Sequence, residues 1–405
     1  MNILISAYAC EPNKGSEPGV GWNWAVTTAR HHSVWVITRD NNRQAITSYL
    51  LEHPELDHLR LHFIYVGLPK KLTFWKKGRR GMRLFYLLWQ RKAAKVAAVW
   101  NRSVHFDLVH SITFVSFTQT TYMYRLRIPM IWGPVAGGDN IPKTCSRNLE
   151  PKEKFTELLR RVSQQLALLT PSIRKTMKYS SYLFAATEAT KELLPLKYRD
   201  KTTVLPAIGI EAVPILPIAK REEGKLRVVM AGNLNYLKAV DLGIKAFLRL
   251  AENYPEIELH ILGQGNKKAY LKKLSGTYLN QRIFFDPPVP HDQITDYYSS
   301  MDICITTALR DSGCMTMLEA MSVGLPCICL ANGGPKLLGS DTPELMVEPT
   351  SRIVQEISDR LKKLVYDKEL RIVMGRKAHE AAMKYLYDRK CLVMEPYYKE
   401  CVRRK

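Results

Sequence analysis

The segment from 301 to 335 constrains the fold most, because its pattern is strand, loop, helix and strand. Residues 301–307 are apolar and β-branched, as expected of a buried strand, and residues 326–331 repeat that character. Between them a helix begins near Cys314 and ends before Gly324. This alternation predicts an α/β domain with a parallel sheet.

The loop of this segment carries two acidic residues in a setting that suits a phosphorylated sugar. The letters ALRDSG lead into the first turn of the helix, where backbone amides and the helix dipole attract an anion such as a diphosphate. Asp311 lies in the loop and Glu319 follows on the helix. Carboxylates can accept hydrogen bonds from sugar hydroxyls, so the layout favours a nucleotide sugar. Alternatively, Thr316 and Glu319 form a capping box, in which Glu319 only satisfies a backbone amide.

The longer string resembles the donor site of retaining GT-B glycosyltransferases, particularly those of family 4. The resemblance rests on Asp311, the Ser-Gly after it, Glu319, and the later Gly-Leu-Pro and Gly-Gly steps. It implies two facing Rossmann-like domains with an interdomain cleft, and sugar transfer from a UDP- or GDP-sugar with retention of configuration. Asp311 would contact the hexose hydroxyls and Glu319 the ribose. In this sequence Asp311 replaces the commoner Glu, and Cys314 replaces a small or aromatic residue.

Composition favours a cytoplasmic globular protein with two α/β domains. The chain has 405 residues, more than one core usually organises. Its eight cysteines lack a zinc-type spacing, which favours a reduced compartment. The first residues are typical of a strand rather than a signal peptide, and no apolar run reaches membrane-spanning length. No D-x-D triplet occurs, so we expect neither a metal nor a cofactor beyond the nucleotide sugar.

The N-terminal residues predict a βαβ unit with a ligand-facing loop. Residues 2–9 and 34–40 are typical of strands. The loop after the first strand is rich in glycine, and ligands bind at the carboxyl ends of strands in open α/β sheets. Gly15 and Glu17 resemble part of the family's glycine loop, which approaches the donor phosphate and the acceptor. An ordinary glycine turn is the alternative.

Two later strand ends contribute further candidates. Residues 106–111 form a predicted strand that ends in His110. A histidine there is more often structural than catalytic, but in the family a histidine after the corresponding strand reaches the donor sugar. After the next strand, GPVAGGDN places Gly138 and Asp139 on the predicted cleft wall.

The second domain opens with a strand that ends at Gly232 and a loop that contains Lys238. A lysine in this loop can neutralise a leaving diphosphate, whereas most lysines are simply surface residues. The family pattern is Gly-Arg-Leu-x-x-x-Lys-Gly, so Lys238 matches, but Asn233 stands where arginine is expected. Gly263 ends the next strand and resembles the family segment that lines the nucleotide base.

The segment 69–102 contains no acidic residue and alternates lysines and arginines with leucines and aromatic residues. Together with a net charge of +22, it predicts contact with an anionic membrane surface. Nucleic-acid binding and a solvated helix packed on the N-terminal core are the alternatives. A basic aromatic acceptor domain favours a lipid-linked saccharide acceptor in bacterial surface polysaccharide biosynthesis, and a peripheral location at the inner face of the cell membrane.

The predicted domains are an acceptor domain at 1–205, a donor domain at 206–385, and a tail at 386–405 that, by resemblance, returns to the first domain. Other candidate activities are a nucleotide-sugar 2-epimerase and a non-catalytic nucleic-acid- or membrane-binding protein. The predicted catalytic residues are Asp311, Lys238 and His110. The predicted donor-binding residues are Gly15, Gly232, Asn233, Lys238, Gly263, Asp311, Gly313, Cys314, Met315, Thr316 and Glu319. The predicted acceptor-side residues are Glu17, Gly19, Gly138 and Asp139.

Overall fold

The computed structural model describes residues 1–69, 71, 75, 78, 81–211 and 224–403. The chain forms two compact units. The N-terminal unit comprises Met1–Gly138, Leu159–Ile208 and Tyr387–Lys405, and the C-terminal unit comprises Asp139–Leu158 and Gly209–Leu386. The residues 139–158, which the predicted boundary assigned to the first domain, therefore group with the C-terminal unit.

In the described part of the N-terminal unit, seven parallel strands form one sheet in the order β3-β2-β1-β4-β5-β6-β7. Apolar residues fill nearly every position of the central strands, as expected of strands covered by helices on both faces. The strands are β1 Asn2–Ala7, β2 Ser33–Arg39, β3 Leu61–Val66, β4 Leu108–Thr113, β5 Met130–Val135, β6 Tyr182–Ala185 and β7 Thr202–Val204.

The helices before the second sheet are α1 Ser16–Ala29, α2 Arg43–Glu52, α3 Met82–Val104, α4 Lys143–Ser146, α5 Pro151–Leu169, α6 Pro171–Tyr179, α7 Glu188–Leu193 and α8 Leu196–Arg199. The helix α16, Tyr387–Arg403, packs beside α1 and belongs to the same unit. One face of the sheet is covered by α1 and α16, and the other by α3, whose Tyr86 and Trp89 are fully buried.

In the described part of the C-terminal unit, six parallel strands are ordered β10-β9-β8-β11-β12-β13. They are β8 Leu226–Ala231, β9 Ile257–Leu262, β10 Ile283–Asp286, β11 Ile303–Thr306, β12 Cys327–Leu330 and β13 Met346–Val347. The helices are α9 Val240–Ala251, α10 Lys268–Leu274, α11 Ile294–Ser299, α12 Met315–Ser322, α13 Gly333–Leu338, α14 Ile353–Tyr366 and α15 Lys368–Ala382.

Both sheets follow the Rossmann strand order, in which the first strand of each unit has the second on one side and the fourth on the other. The chain reverses its direction of winding at that point, and a crevice opens at the carboxyl ends of the two central strands. In the C-terminal unit these are β8 and β11. The predicted strand, loop, helix and strand at 301–335 is the segment from β11 through α12 to β12.

Candidate functional site

The predicted donor residues of the C-terminal unit gather at the carboxyl ends of β9, β8 and β11. Two hydrogen bonds from Thr307 Oγ1, to the carbonyls of Lys238 and Ala239 at 2.9 and 2.8 Å, tie the loop after β8 to the loop after β11. The amide of Leu309 adds a third, to the carbonyl of Leu237 at 2.8 Å. These bonds fix the position of Lys238 beside the loop that contains Asp311.

Asp311 is the most heavily bonded residue of the site. Its Oδ2 forms an ion pair with Lys238 Nζ, and its Oδ1 accepts hydrogen bonds from the amides of Gly313 at 3.1 Å and Cys314 at 2.9 Å. Burial alone would raise the pKa of Asp311, but Lys238 and the two amides outweigh that effect and hold it below its ordinary value. Asp311 is therefore an ionised group with a fixed orientation.

Lys238 is correspondingly held in its charged form. Burial alone would lower its pKa, but nearby Cys314 and the Asp311 carboxylate raise it above the ordinary value. The side chain keeps about 20% of its surface exposed, so Lys238 is not sealed inside the protein.

The four amides predicted to receive the diphosphate divide into two pairs. Those of Gly313 and Cys314 donate to Asp311 Oδ1 and so already have a partner within the protein. Cys314 is the residue before the helix, with a left-handed φ of 57°, and its side chain is buried. In the described residues the amides of Met315 and Thr316, in the first turn of α12, donate to no protein group.

Glu319 is not part of a capping box. The helix α12 begins at Met315, so Thr316 already lies inside it, and no side chain caps this helix end. In the described residues the Glu319 carboxylate has no hydrogen-bond partner. It lies on the same helix face as Met315 and Thr316, the partly exposed face of α12, because residues three and four apart are neighbours on a helix. Burial raises the pKa of Glu319 to about 7.

Tyr298, on α11, is a residue near Glu319 that sequence reasoning missed. It is fully buried, and in the described residues its hydroxyl has no hydrogen-bond partner. Burial, and next the charge of Glu319, raise the pKa of Tyr298. Nothing in the sequence marks this tyrosine, because the contact between α11 and α12 is decided by the packing of the sheet.

The Gly-Gly step of the sequence motif allows α13 to approach the Asp311 loop. Gly333 has a left-handed φ of +56°, and a Cβ there would lie 2.5 Å from the carbonyl oxygen of Asp311. The amide of Gly334 donates to that same carbonyl at 2.7 Å. Asp139, a predicted acceptor-side residue, belongs to the C-terminal unit, and its Oδ1 would lie 3.4 Å from the same Cβ, beside the Asp311 loop.

The remaining donor candidates line the ends of β8 and β9. Gly263 packs so closely on the carbonyl of Gly232 that a Cβ would overlap with it. The side chain of Lys238 passes beside Gly232, with Nζ 3.8 Å from where a Cβ would be. Asn233 is exposed and contributes no charge. Lys238 is therefore the cationic residue that this loop places beside Asp311.

The predicted residues of the N-terminal unit lie at the equivalent end of its own sheet. Gly15 precedes α1, and Gly19 lies within this helix. The Glu17 carboxylate accepts a hydrogen bond from the amide of Val115, just after β4, and burial raises its pKa. Gly138, after β5, donates its amide to Thr190 Oγ1 at 3.1 Å.

His110 lies inside β4 rather than at a ligand-facing strand end. Its ring is fully buried, with Nδ1 2.8 Å from Tyr398 Oη and Nε2 2.8 Å from the carbonyl oxygen of Gly133. Burial lowers its pKa to about 4, so the ring is neutral at physiological pH. Since both ring nitrogens already have protein partners, the catalytic assignment of His110 is corrected to a structural one.

The basic segment 69–102 is described only in part. Of its apolar residues, Leu72 and Phe74 lie outside the described residues. In α3, Tyr86 and Trp89 point into the core, and Trp89 Nε1 donates to the carbonyl of Val66 at 2.8 Å. These two aromatic residues therefore support the core-packing alternative for α3.

A cavity of about 520 Å³ lies elsewhere in the C-terminal unit, and none of the predicted residues lines it. It is lined by residues between Thr144 and Glu153 and by residues of α9, α10 and α14. Within the described residues, no helix combines the length and hydropathy that a membrane span requires. The described part of the chain also contains no cluster of three or more His, Cys, Asp or Glu residues suited to a metal ion.

Comparison with known structures decides the fold. The solved structure of Anabaena Alr3699/HepE in complex with UDP and glucose is similar to this chain, with a TM-score of 0.63 and 14% sequence identity. It matches 98% of this chain and 99% of that one. This chain has the GT-B fold. The prediction of two Rossmann-like domains is confirmed.

Sequence comparison finds a family match that includes Lys238, Asp311 and Glu319. Residues 215–381, less than half of the chain, match the family of glycosyl transferases group 1. The D-inositol 3-phosphate glycosyltransferase of Arthrobacter sp. (strain FB24) is 24% identical, over 86% of this chain and 82% of that protein. One component of the human phosphatidylinositol N-acetylglucosaminyltransferase is 25% identical over 44% of this chain, which spans only 39% of the human protein's length.

Proposed function

We propose that this GT-B protein is a retaining glycosyltransferase of family 4 that uses a UDP- or GDP-sugar and needs no metal ion. The matched family segment contains Lys238, Asp311 and Glu319. The two relatives are named as glycosyltransferases, and the Anabaena protein was crystallised with UDP and glucose. These similarities support the reaction class and the type of donor.

One observation carries the proposal: the carboxylate of Glu319 shares a helix face with two first-turn amides, and none of these groups has a hydrogen-bond partner among the described residues. A partly buried acid in such a setting is costly, and such groups concentrate at functional sites. Hydroxyls of a ribose would supply the missing hydrogen-bond donors. The amides of Met315 and Thr316, at the positive end of α12, would receive the diphosphate.

Lys238 and Asp311 would then act on the reacting end of the donor. As the glycosidic bond to the diphosphate breaks, negative charge develops on the leaving phosphate, and Lys238 would stabilise it together with the two amides. Asp311, held by Lys238 and by the amides of Gly313 and Cys314, would orient the hexose through its hydroxyls. The acceptor hydroxyl would attack from the face that the diphosphate leaves, and a phosphate oxygen would take its proton.

We further propose that the acceptor is a lipid-linked saccharide, used in bacterial surface polysaccharide biosynthesis at the inner face of the cell membrane. The net charge of +22 supports an anionic surface as a partner. The human relative's name includes phosphatidylinositol, which is a lipid.

The experiment that tests the donor site is a thermal-shift screen of UDP, GDP and their sugars on the full-length chain. Ligand binding stabilises the folded state, so a nucleotide sugar should raise the melting temperature. Glu319→Ala should abolish the shift. The control is Glu380→Ala, which removes an exposed glutamate from α15 in the same unit and should leave the shift unchanged.

A catalytic test follows on the ligand that gives the largest shift. Release of nucleoside diphosphate and transfer of the sugar to lipid-linked acceptors should both be lost in the Glu319→Ala variant. Conversion of the sugar without any acceptor would indicate a 2-epimerase instead. If no nucleotide sugar shifts the melting temperature and none is turned over, the proposal fails.

A further inference from the structure

The helix α5, Pro151–Leu169, exposes its large apolar residues on one face and buries the polar residues Glu157 and Gln164 on the opposite face, the reverse of an ordinary surface helix. Six large apolar side chains are between 48% and 60% exposed, namely Phe155, Leu158, Leu159, Val162, Leu166 and Leu169. At about 100° per residue they fall within an arc of roughly 100° around the helix axis. They form one continuous stripe, which we call the α5 stripe.

Polar contacts on the opposite face hold the helix in this orientation. Glu157 Oε2 pairs with Arg310 Nη1 at 2.8 Å, and its Oε1 accepts a hydrogen bond from Tyr236 Oη at 2.8 Å. Farther along the helix, Arg160 Nη2 donates to the carbonyl of Gly137 at 2.8 Å, and Gln164 donates to the same oxygen. Rolling the helix to hide its apolar residues would break all of these bonds, so the exposure of the α5 stripe is built into the fold.

The charged residues of α5 also differ between its two faces, with the acids on the inner face and exposed cations beside the stripe. Its two acids, Glu153 and Glu157, are turned inward, where they pair with Lys267 and Arg310. The exposed Lys152 borders one edge of the stripe, and the exposed Lys154 and Arg161 border the other.

The charge pattern selects the occupant of the stripe. If two copies packed stripe against stripe, cationic edges would meet with no acidic residue of α5 left to pair with them. An anionic bilayer instead offers both a hydrocarbon boundary for the leucines and phosphate groups for the cations. Two other strongly exposed apolar side chains, Leu51 and Leu196, lie singly on separate helices, as is normal for a protein surface.

We propose that α5 docks the protein on an anionic lipid bilayer, with the α5 stripe inserted at the level of the headgroups. This inference rests on the proposed function, since it names the surface through which the enzyme would reach a lipid-linked acceptor. It assigns membrane contact to α5, a helix that the sequence analysis left without a functional role, while the contact predicted for the segment 69–102 stays a prediction.

The test is flotation of the full-length protein with vesicles of phosphatidylcholine alone or with about 30% phosphatidylglycerol. The parent protein should float only with the anionic vesicles. A double variant, Leu159→Glu with Leu166→Glu, should reduce the vesicle-bound fraction at least tenfold, because charges replace inserted apolar groups. The matched control, Leu51→Glu with Leu196→Glu, makes the same chemical change on exposed residues of α2 and α8 and should float like the parent.

A second variant tests the charges separately. Lys154→Gln with Arg161→Gln keeps the α5 stripe and should weaken binding to anionic vesicles about fivefold for each cation removed. Added salt should weaken the parent in the same direction. Equal flotation of the parent and the Leu159/Leu166 variant would overturn the proposal, as would a parent dimer in analytical ultracentrifugation that this variant dissociates.

The thermal shift with the nucleotide sugar separates this inference from the proposed function. The Leu159→Glu/Leu166→Glu variant should retain the parent's shift, which also shows that it is folded. Loss of flotation with a retained shift supports docking through α5. If the parent floats in an α5-dependent way but binds no nucleotide sugar, the docking surface stands and the proposed function fails.

Discussion

Glu319→Gln measures how much the ionised Glu319 carboxylate destabilises the ligand-free protein. Burial raises the pKa of Glu319 from an ordinary 4.5 to about 7, and no hydrogen bond in the described residues offsets this. Between these two values the unfolded chain releases the proton while the folded chain keeps it. Stability therefore falls as pH rises from 4.5 to about 7, and above pH 7 the loss is complete.

The size of this effect follows from the pKa. A pKa difference of about 2.5 corresponds to roughly 3 kcal/mol at high pH, since one unit is worth about 1.4 kcal/mol. Because the side chain keeps some exposure, we expect about 2 kcal/mol in practice. Glutamine has the same shape but no charge, so Glu319→Gln should stabilise the ligand-free protein at pH 8 and leave its stability unchanged at pH 4.5.

The assay is thermal unfolding of parent and variant across this pH range. For a unit of this size, about 2 kcal/mol corresponds to a rise in melting temperature of roughly 6 °C at pH 8. The control Glu380→Gln, an exposed position in α15, should show no such rise. An equal melting temperature of parent and Glu319→Gln at pH 8, or an equal gain at both pH values, would refute the argument that an ionised and unpaired carboxylate destabilises the site.

Three further substitutions test the roles assigned to Lys238, Gly333 and His110. Lys238→Met leaves the partly buried Asp311 carboxylate without its cation and should lower the free energy of unfolding by about 2 kcal/mol at pH 7. Because the pKa of Asp311 is depressed, the difference in stability between parent and variant should shrink as pH falls below about 3.8. A loss of stability that does not depend on pH would contradict the pairing. Gly333→Ala should lower the free energy of unfolding by about 3 kcal/mol in chemical denaturation. The control Gly276→Ala should lower it by about 1 kcal/mol, because Gly276 has the same φ of +56° but open space around it. Equal losses would show that the close packing at Gly333 is unimportant. His110→Phe should lower the free energy of unfolding by about 2 kcal/mol, because it removes two buried hydrogen bonds. The pH profile of sugar transfer should stay the same. A changed profile would indicate that His110 is catalytic after all.

The family resemblance implied the two Rossmann-like units, whereas the residue pattern by itself predicted two α/β domains and the segment that carries the candidate site. These are local properties: β-branched runs give strands, and Gly324 and Pro326 end the helix that Cys314 precedes. The resemblance assigns Asp311 and Lys238 to one ligand, and their positions after two strands agree with this, because parallel strands present their carboxyl ends at one edge.

Tertiary structure alone decided what those residues do to one another. The ion pair of Lys238 and Asp311 joins residues far apart in the sequence, and it depends on β8 and β11 being neighbours. Burial of His110 between β5 and α16 removed a catalytic candidate that its place at a predicted strand end had favoured. The exposed stripe of α5 has the same origin: an amphipathic pattern fixes which residues share a face, but only long-range polar contacts determine which face is turned outward.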